Sequence, residues 1–241
     1  MLVRIFYNRR PAMTTQEIRA QLAALGGDNP VADATIPNKS ISFGVRVPDL
    51  RNLAKRIAKE DYRGFLDSGA REYFDEQMLR AYVIGYAKDD FDTLLGYFTA
   101  EIPYVHDWAV NDALCSSFKH AKKHREQTLK ALEPYITSHN EFECRVVAVT
   151  LLAQFMDGEY LSVVEDILEK LDTTGYYAMM GVAWAAAEIV CRFPEEGMDF
   201  MERTTLDDRT FGKAVQKACE SFRVSDEDKE SLRRLKAERS A

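Results

Sequence analysis

The sequence predicts an all-α fold, a HEAT-like helical-repeat solenoid (an α-α superhelix) with a concave binding face. Three observations carry that expectation. Apolar residues recur at three- and four-residue spacing nearly from end to end, as in helices that each bury one stripe. No segment shows sustained period-two alternation bounded by hairpin turns, so strands are not expected. Trp108, Arg145 and Trp184 stand 37 and 39 residues apart, close to the roughly 40-residue period of stacked helical hairpins.

The elements follow in order. A first helix reads from Gln16 to Leu25 and stops at Gly26-Gly27, and residues 27–47 read as a long connection that includes Gly44. Helices are then expected over Pro48–Ile57, Tyr73–Lys88, Phe91–Phe98 and Trp108–Lys119. The pattern continues through REQTLKALEPYI, ECRVVAVTLLAQF, YLSVVEDILEKL, YYAMMGVAWAAAEIVCRF and FGKAVQKACESF. Asp157-Gly158, Pro194 and Gly197 read as breaks between helices. If Trp108, Arg145 and Trp184 lie on equivalent helices of successive repeats, they face one side of the stack, where inner helices line a concave surface. A plain helical bundle uses the same elements and stays open. Residues 1–13 read as an N-terminal extension, and residues 14–241 as a single HEAT-like-repeat domain.

Composition narrows the class. With 46% hydrophobic and 29% charged residues the chain is not generally disordered. No apolar run approaches the roughly 20 residues needed to span a bilayer. MLVRIFYNRRPAM lacks the apolar region and small-residue cleavage site of a secretory signal. A cytoplasmic protein is expected, a monomer by default. Cys115, Cys144, Cys191 and Cys219 form no CxxC pair and sit in apolar helical stretches, as reduced core thiols do. His120 and His124 are spaced i, i+4, but Lys122, Lys123 and Arg125 beside them would repel a cation. No metal site is expected. The net charge of −7, taken alone, argues against a nucleic-acid partner, although binding depends on where the charges lie.

One constellation carries chemistry. Trp108 and Asp112 are four residues apart, so the indole and the carboxylate project from one helix face. Arg145 sits in an otherwise apolar helix and needs an anion, for which Asp112 is the candidate. Trp184 is surrounded by Gly181, Ala183, Ala185, Ala186 and Ala187, neighbours small enough to leave its ring standing clear. Each residue also has a structural reading: a tryptophan in an apolar helix is more often core, and Asp112 could cap a helix or pair with Arg145 for packing alone. On the residues themselves the two readings are about evenly matched.

The chain resembles the AlkD-like DNA alkylation repair family of HEAT-like-repeat DNA glycosylases, from about Phe43 to Leu235. The resemblance rests on FGVRVPDLRNLAKRI (Phe43–Ile57), WAVND (Trp108–Asp112), CRVVAVTLL (Cys144–Leu152), YYAMMGVAW (Tyr176–Trp184) and KAVQKACESFRV (Lys213–Val224). It implies that Trp108 and Asp112 are the family's catalytic motif, Arg145 its arginine and Trp184 its second groove-lining tryptophan. It further implies excision of bases alkylated at purine N3 or N7, from the backbone side of a lesion left in the duplex. Such a base already carries positive charge and leaves without a general acid, so neither metal nor organic cofactor is needed. Asp112 would stabilise the oxocarbenium-like sugar and could orient the attacking water. Trp108 and Trp184 would pack against the deoxyribose. Arg145 would hold a phosphate or fix the Asp112 rotamer.

Double-stranded DNA containing alkylated bases is the expected partner. The densest basic cluster, KHAKKHR, supplies Lys119, Lys122, Lys123 and Arg125 directly after the Trp108 helix. It reads either as a solvated loop or as a phosphate clamp beside the site, and its position favours the clamp. Lys213 and Lys217, spaced i, i+4, match a region of the family that faces DNA. Arg46 and Arg51 are weaker candidates, and Arg233, Arg234, Lys236 and Arg239 read as a solvated helix end. The chain departs from the family's usual character in being acidic. Asp107 would put a second negative charge near the phosphates, and Met180 stands where a basic residue would strengthen binding. Three readings therefore stay open: a glycosylase, a DNA-binding member without excision activity, and a protein scaffold that suits the acidic charge.

Overall fold

A computed structural model describes residues 13–32 and 41–239. Among these the chain forms thirteen α-helices: α1 (Thr15–Leu25), α2 (Val47–Glu60), α3 (Tyr62–Asp67), α4 (Phe74–Tyr86), α5 (Phe91–Glu101), α6 (Trp108–Ser117), α7 (Arg125–Ile136), α8 (Glu141–Gln154), α9 (Leu161–Leu168), α10 (Tyr176–Arg192), α11 (Pro194–Arg203), α12 (Asp208–Glu220) and α13 (Asp226–Arg239). The extension expected over residues 1–13 lies, apart from Met13, outside the described residues. No helix among them is long and apolar enough to cross a membrane.

The all-α expectation holds, with corrections. Within the 27–47 connection, where no strand was expected, Val31–Ala32 pairs antiparallel with Ile41–Ser42. Pro194 stands at the boundary between α10 and α11, as expected, but Gly197 is not a break between helices. Pro194 opens α11 at its first turn, where its missing N–H costs no hydrogen bond. Gly197 lies inside α11, so close to α10 that a Cβ there would stand 2.5 Å from the Val190 Cα. That glycine serves a close approach and not a turn. The tail is also more than a solvated end. Arg239 stacks 4.3 Å over the Phe211 ring and donates to the Leu206 carbonyl at 2.7 Å.

The chain groups into two compact units, residues 1–97 and 98–241. In the first, α2 packs on α4 and turns Leu50, Leu53, Ala54 and Ile57 inward. Buried Asp75, in the first turn of α4, accepts from the Ser42 hydroxyl and from the Phe43 and Val45 amides. A carboxylate there also suits the positive end of the helix. The loop can reach it because Gly44 adopts φ 72°, a conformation that costs glycine little. Gly26 admits the same loop, since a Cβ there would lie 2.1 Å from the Phe43 carbonyl oxygen.

In the second unit every other helix packs in a row: α6 on α8, α8 on α10, α10 on α12. Helices α7, α9, α11 and α13 back them. The row explains the composition of α8. With α6 on one side and α10 on the other, it cannot be amphipathic, and Val146, Val147, Val149 and Leu151 are all buried. Each contributes about 1.5–3 kcal/mol of hydrophobic stabilisation. Polar side chains tie neighbours in the row together. Buried Asn111 donates to the Phe142 carbonyl at 3.0 Å, and Gln154 to the Cys115 carbonyl at 2.8 Å.

Candidate functional site

The row sets the register of the site. Helices α6, α8, α10 and α12 begin 33, 35 and 32 residues apart, so the 37- and 39-residue spacing of Trp108, Arg145 and Trp184 is not itself the repeat period. It is that period plus one helical turn. Trp108 is the first residue of α6, Arg145 the fifth of α8 and Trp184 the ninth of α10. Asp112, fifth in α6, is therefore level with Arg145, and Lys217, tenth in α12, is nearly level with Trp184.

Level placement makes the Asp112–Arg145 pair bidentate. The guanidinium donates from Nε to Asp112 Oδ1 at 3.0 Å and from Nη2 to Oδ2 at 2.9 Å. Its Nη1 donates to the Tyr177 carbonyl of α10 at 3.0 Å. Three elements thus fix a side chain that is only 6% exposed, and planar two-point pairing adds orientation to charge. Gly181 makes room, since a Cβ there would lie 3.2 Å from the Arg145 Cγ. Burial pushes the Asp112 carboxyl above its ordinary range, and the Arg145 hydrogen bonds and charge pull it back only in part.

Neither tryptophan is in the core. Trp108 is 44% and Trp184 36% exposed. Both line one pocket of about 320 Å³, together with Arg145, Tyr176, Tyr177, Met180 and Lys217. On α10 exposed Tyr176, half-buried Met180 and exposed Trp184 follow one another at intervals of four residues, while Ala183, Ala185, Ala186 and Ala187 are buried against neighbouring helices. The flanking alanines thus serve close helix packing, which leaves the indole on the open side. Tyr176 and Tyr177 are pocket residues that the sequence reading missed. The four-residue ladder leading back from Trp184 was the available signal for Tyr176. Tyr177 contributes a backbone carbonyl, which no side-chain pattern reports.

Lys217 stands in this pocket, half-buried, and makes no hydrogen bond or ion pair among the described residues. Burial lowers its pKa, as do the charges of Lys213 and Arg145, while Glu220 and Asp112 act the other way. Lys213 bonds Gln216 at 2.8 Å, on the same helix. Met180 lies in the pocket wall, so no basic residue occupies that place.

The other residues singled out from sequence fall elsewhere. Asp107 is 2% exposed and caps α6 by accepting from the Ala109 amide at 2.6 Å. Burial raises its pKa, so it is a helix cap and not a second surface charge facing phosphates. The basic cluster stands at the opposite end of α6 from Trp108, about 15 Å along a ten-residue helix. Lys122 and Lys123 line a separate hollow of about 500 Å³ with Arg125, Glu126, Glu159 and Tyr160. Lys119, Lys122 and Lys123 are exposed. Arg125 is not open in the same way, because it pairs with Asp157 and lies 4.7 Å over the Tyr160 ring. In the first unit Arg46 pairs with Asp49 and Arg51 covers the Tyr82 ring.

A family model described as "DNA alkylation repair enzyme" matches residues 18–221. No curated protein and no solved structure matches the chain.

Proposed function

We propose, for a chain that belongs to the DNA alkylation repair enzyme family, that it is a DNA glycosylase excising cationic N3- or N7-alkylated purines from duplex DNA. One observation carries this reading: two exposed indoles from different helices open on a single pocket whose wall includes the Arg145 of a bidentate ion pair. The row of alternate helices supports a HEAT-like solenoid whose inner helices, α6, α8, α10 and α12, line the DNA-binding face.

The chemistry follows from charge. An alkylated purine cation departs as a neutral base, so leaving-group protonation is unnecessary. The cost lies in the deoxyribose, which gathers positive charge as the glycosidic bond lengthens. A carboxylate about 4 Å from that charge, at an effective dielectric near 20, contributes about 4 kcal/mol, or roughly a thousandfold in rate. Arg145 uses one acceptor site on each Asp112 oxygen and leaves the remaining lone pairs for water. The indole faces of Trp108 and Trp184 favour the same developing cation. Lys217 adds positive charge where the strand's phosphates would pass.

The occupied Asp112 oxygens favour a second reading, in which Arg145 and Lys217 hold a distorted duplex and no bond breaks. One assay separates the two. Wild type and Asp112→Asn are incubated with methylated duplex DNA, and released 3-methyladenine and 7-methylguanine are measured. Release that falls at least a hundredfold in Asp112→Asn is expected. Duplex binding without release from wild type supports the second reading. Release undiminished by Asp112→Asn removes Asp112 from the mechanism.

A further inference from the structure

Among the described residues Lys217 is the one amine lining the two-tryptophan pocket, and base excision leaves it without a task beyond its charge. It is half-buried, has no partner among the described residues, and is set nearly level with Trp184 beside the place where the proposed reaction leaves a sugar. That sugar, once its base is gone, opens to an aldehyde at C1′. An amine and an aldehyde confined to one small pocket react by condensation.

We propose that Lys217 gives the protein a second activity, abasic-site lyase: its amine forms an imine with the C1′ aldehyde and β-elimination then cuts the strand. This rests on the pocket being the deoxyribose site proposed above. In the first step the Nζ lone pair attacks C1′, a C–N bond forms, and the carbonyl oxygen leaves as water. The protonated imine withdraws electrons from C2′, whose proton passes to water. The freed pair forms a C2′–C3′ double bond, the C3′–O bond breaks, and the 3′ phosphate departs with its electrons. Water then hydrolyses the imine and returns the lysine, leaving an unsaturated aldehyde on the cut strand. No oxidant or reductant is consumed.

The attack requires a neutral amine. An ordinary lysine at pH 7 is neutral in only about one molecule in 10³. Burial and the neighbouring Lys213 and Arg145 charges act in the required direction on Lys217. Lys119, Lys122 and Lys123 are exposed and lie outside this pocket. Lys213, one turn earlier on α12, is tied to Gln216 and is the internal comparison.

The test uses duplex DNA with a preformed abasic site, so it does not depend on base excision. The full chain is mixed with it at saturating protein, and sodium borohydride is added to reduce any imine to a stable amine. A covalent protein–DNA adduct is expected, with peptide mass spectrometry placing the sugar on Lys217. Lys217→Arg keeps the charge but cannot form the imine in this way, and its adduct yield is expected to fall at least tenfold. Absence of an adduct with wild type overturns the proposal, as does an adduct mapped to Lys213 or undiminished in Lys217→Arg. Mapping on wild type decides the matter even if the variant does not fold. Base release from methylated duplex is measured on the same preparation. Release without adduct overturns the lyase alone, and adduct without release overturns only the glycosylase reading.

Discussion

Replacing Arg145 with methionine tests whether the Asp112–Arg145 pair is an organising contact or an incidental one. The change removes two charge-assisted bonds to Asp112 and one to the Tyr177 carbonyl, and leaves a carboxylate without its partner between α6 and α8. Breaking a buried pair on one side costs about 3–5 kcal/mol. A fifth of the Asp112 side chain remains accessible and can recruit water or a proton, which puts the expected loss nearer 2–3 kcal/mol. That corresponds to a melting temperature lower by about 4–12 °C. The sign of the pH dependence is fixed. Burial already holds Asp112 above its ordinary range in the folded protein, and removing Arg145 removes the larger part of what opposes that shift, leaving only the Lys217 charge. A group whose folded pKa is raised above the unfolded value near 3.9 is penalised as pH climbs through the folded value. The deficit of Arg145→Met should therefore be smaller at pH 4.5 than at pH 7.5. Urea titration followed by tryptophan fluorescence reports the relevant unit, because both tryptophans lie in residues 98–241. Adding Asp112→Asn to Arg145→Met should recover part of the loss, since no unpaired charge remains. A loss below about 1 kcal/mol, or one that does not change with pH, would refute the reasoning.

Other outcomes follow from the same geometry. Trp184→Ala should lower base release at least tenfold yet cost less than about 2 kcal/mol in stability, against 3–5 for a fully buried tryptophan, because the ring is partly in solvent; denaturant titration beside the release assay checks both halves. Gly197→Ala should destabilise by about 1–3 kcal/mol, since its Cβ would meet Val190 backbone that cannot swing aside. Cys115 and Cys144, whose thiols burial pushes up to about 12 and about 11, should resist iodoacetamide at pH 8 in the folded protein. Cys191 and Cys219, less buried, should label first, with intact-mass spectrometry giving the order. Replacing Lys119, Lys122 and Lys123 with alanine should reduce the salt dependence of duplex binding by about 0.9 in slope for each lysine that holds a phosphate. An unchanged slope would show that these lysines do not touch the duplex.

The amino-acid order alone determined the helices with a strong apolar period. Arg125–Ile136 was read to the residue and Tyr176–Arg192 within one. Helices α3 and α11 and the start of α13 are not legible as periods, because α3 is too short and the other two carry acids and arginines through much of their length; of α13 only the basic end reads as helix. Gly197 was misread for a related reason: sequence shows that a side chain is absent, but not whether a turn or a neighbouring helix required the space. The pairing of Asp112 with Arg145 was legible, since a guanidinium in an apolar helix must find an anion.

What only the tertiary structure decided was position across helices. Local spacing says which residues share a face of one helix. It does not say how far each helix slides along the next, and that offset is set by side-chain packing between α6, α8, α10 and α12. The offset aligns Asp112 with Arg145 and brings Lys217 nearly level with Trp184.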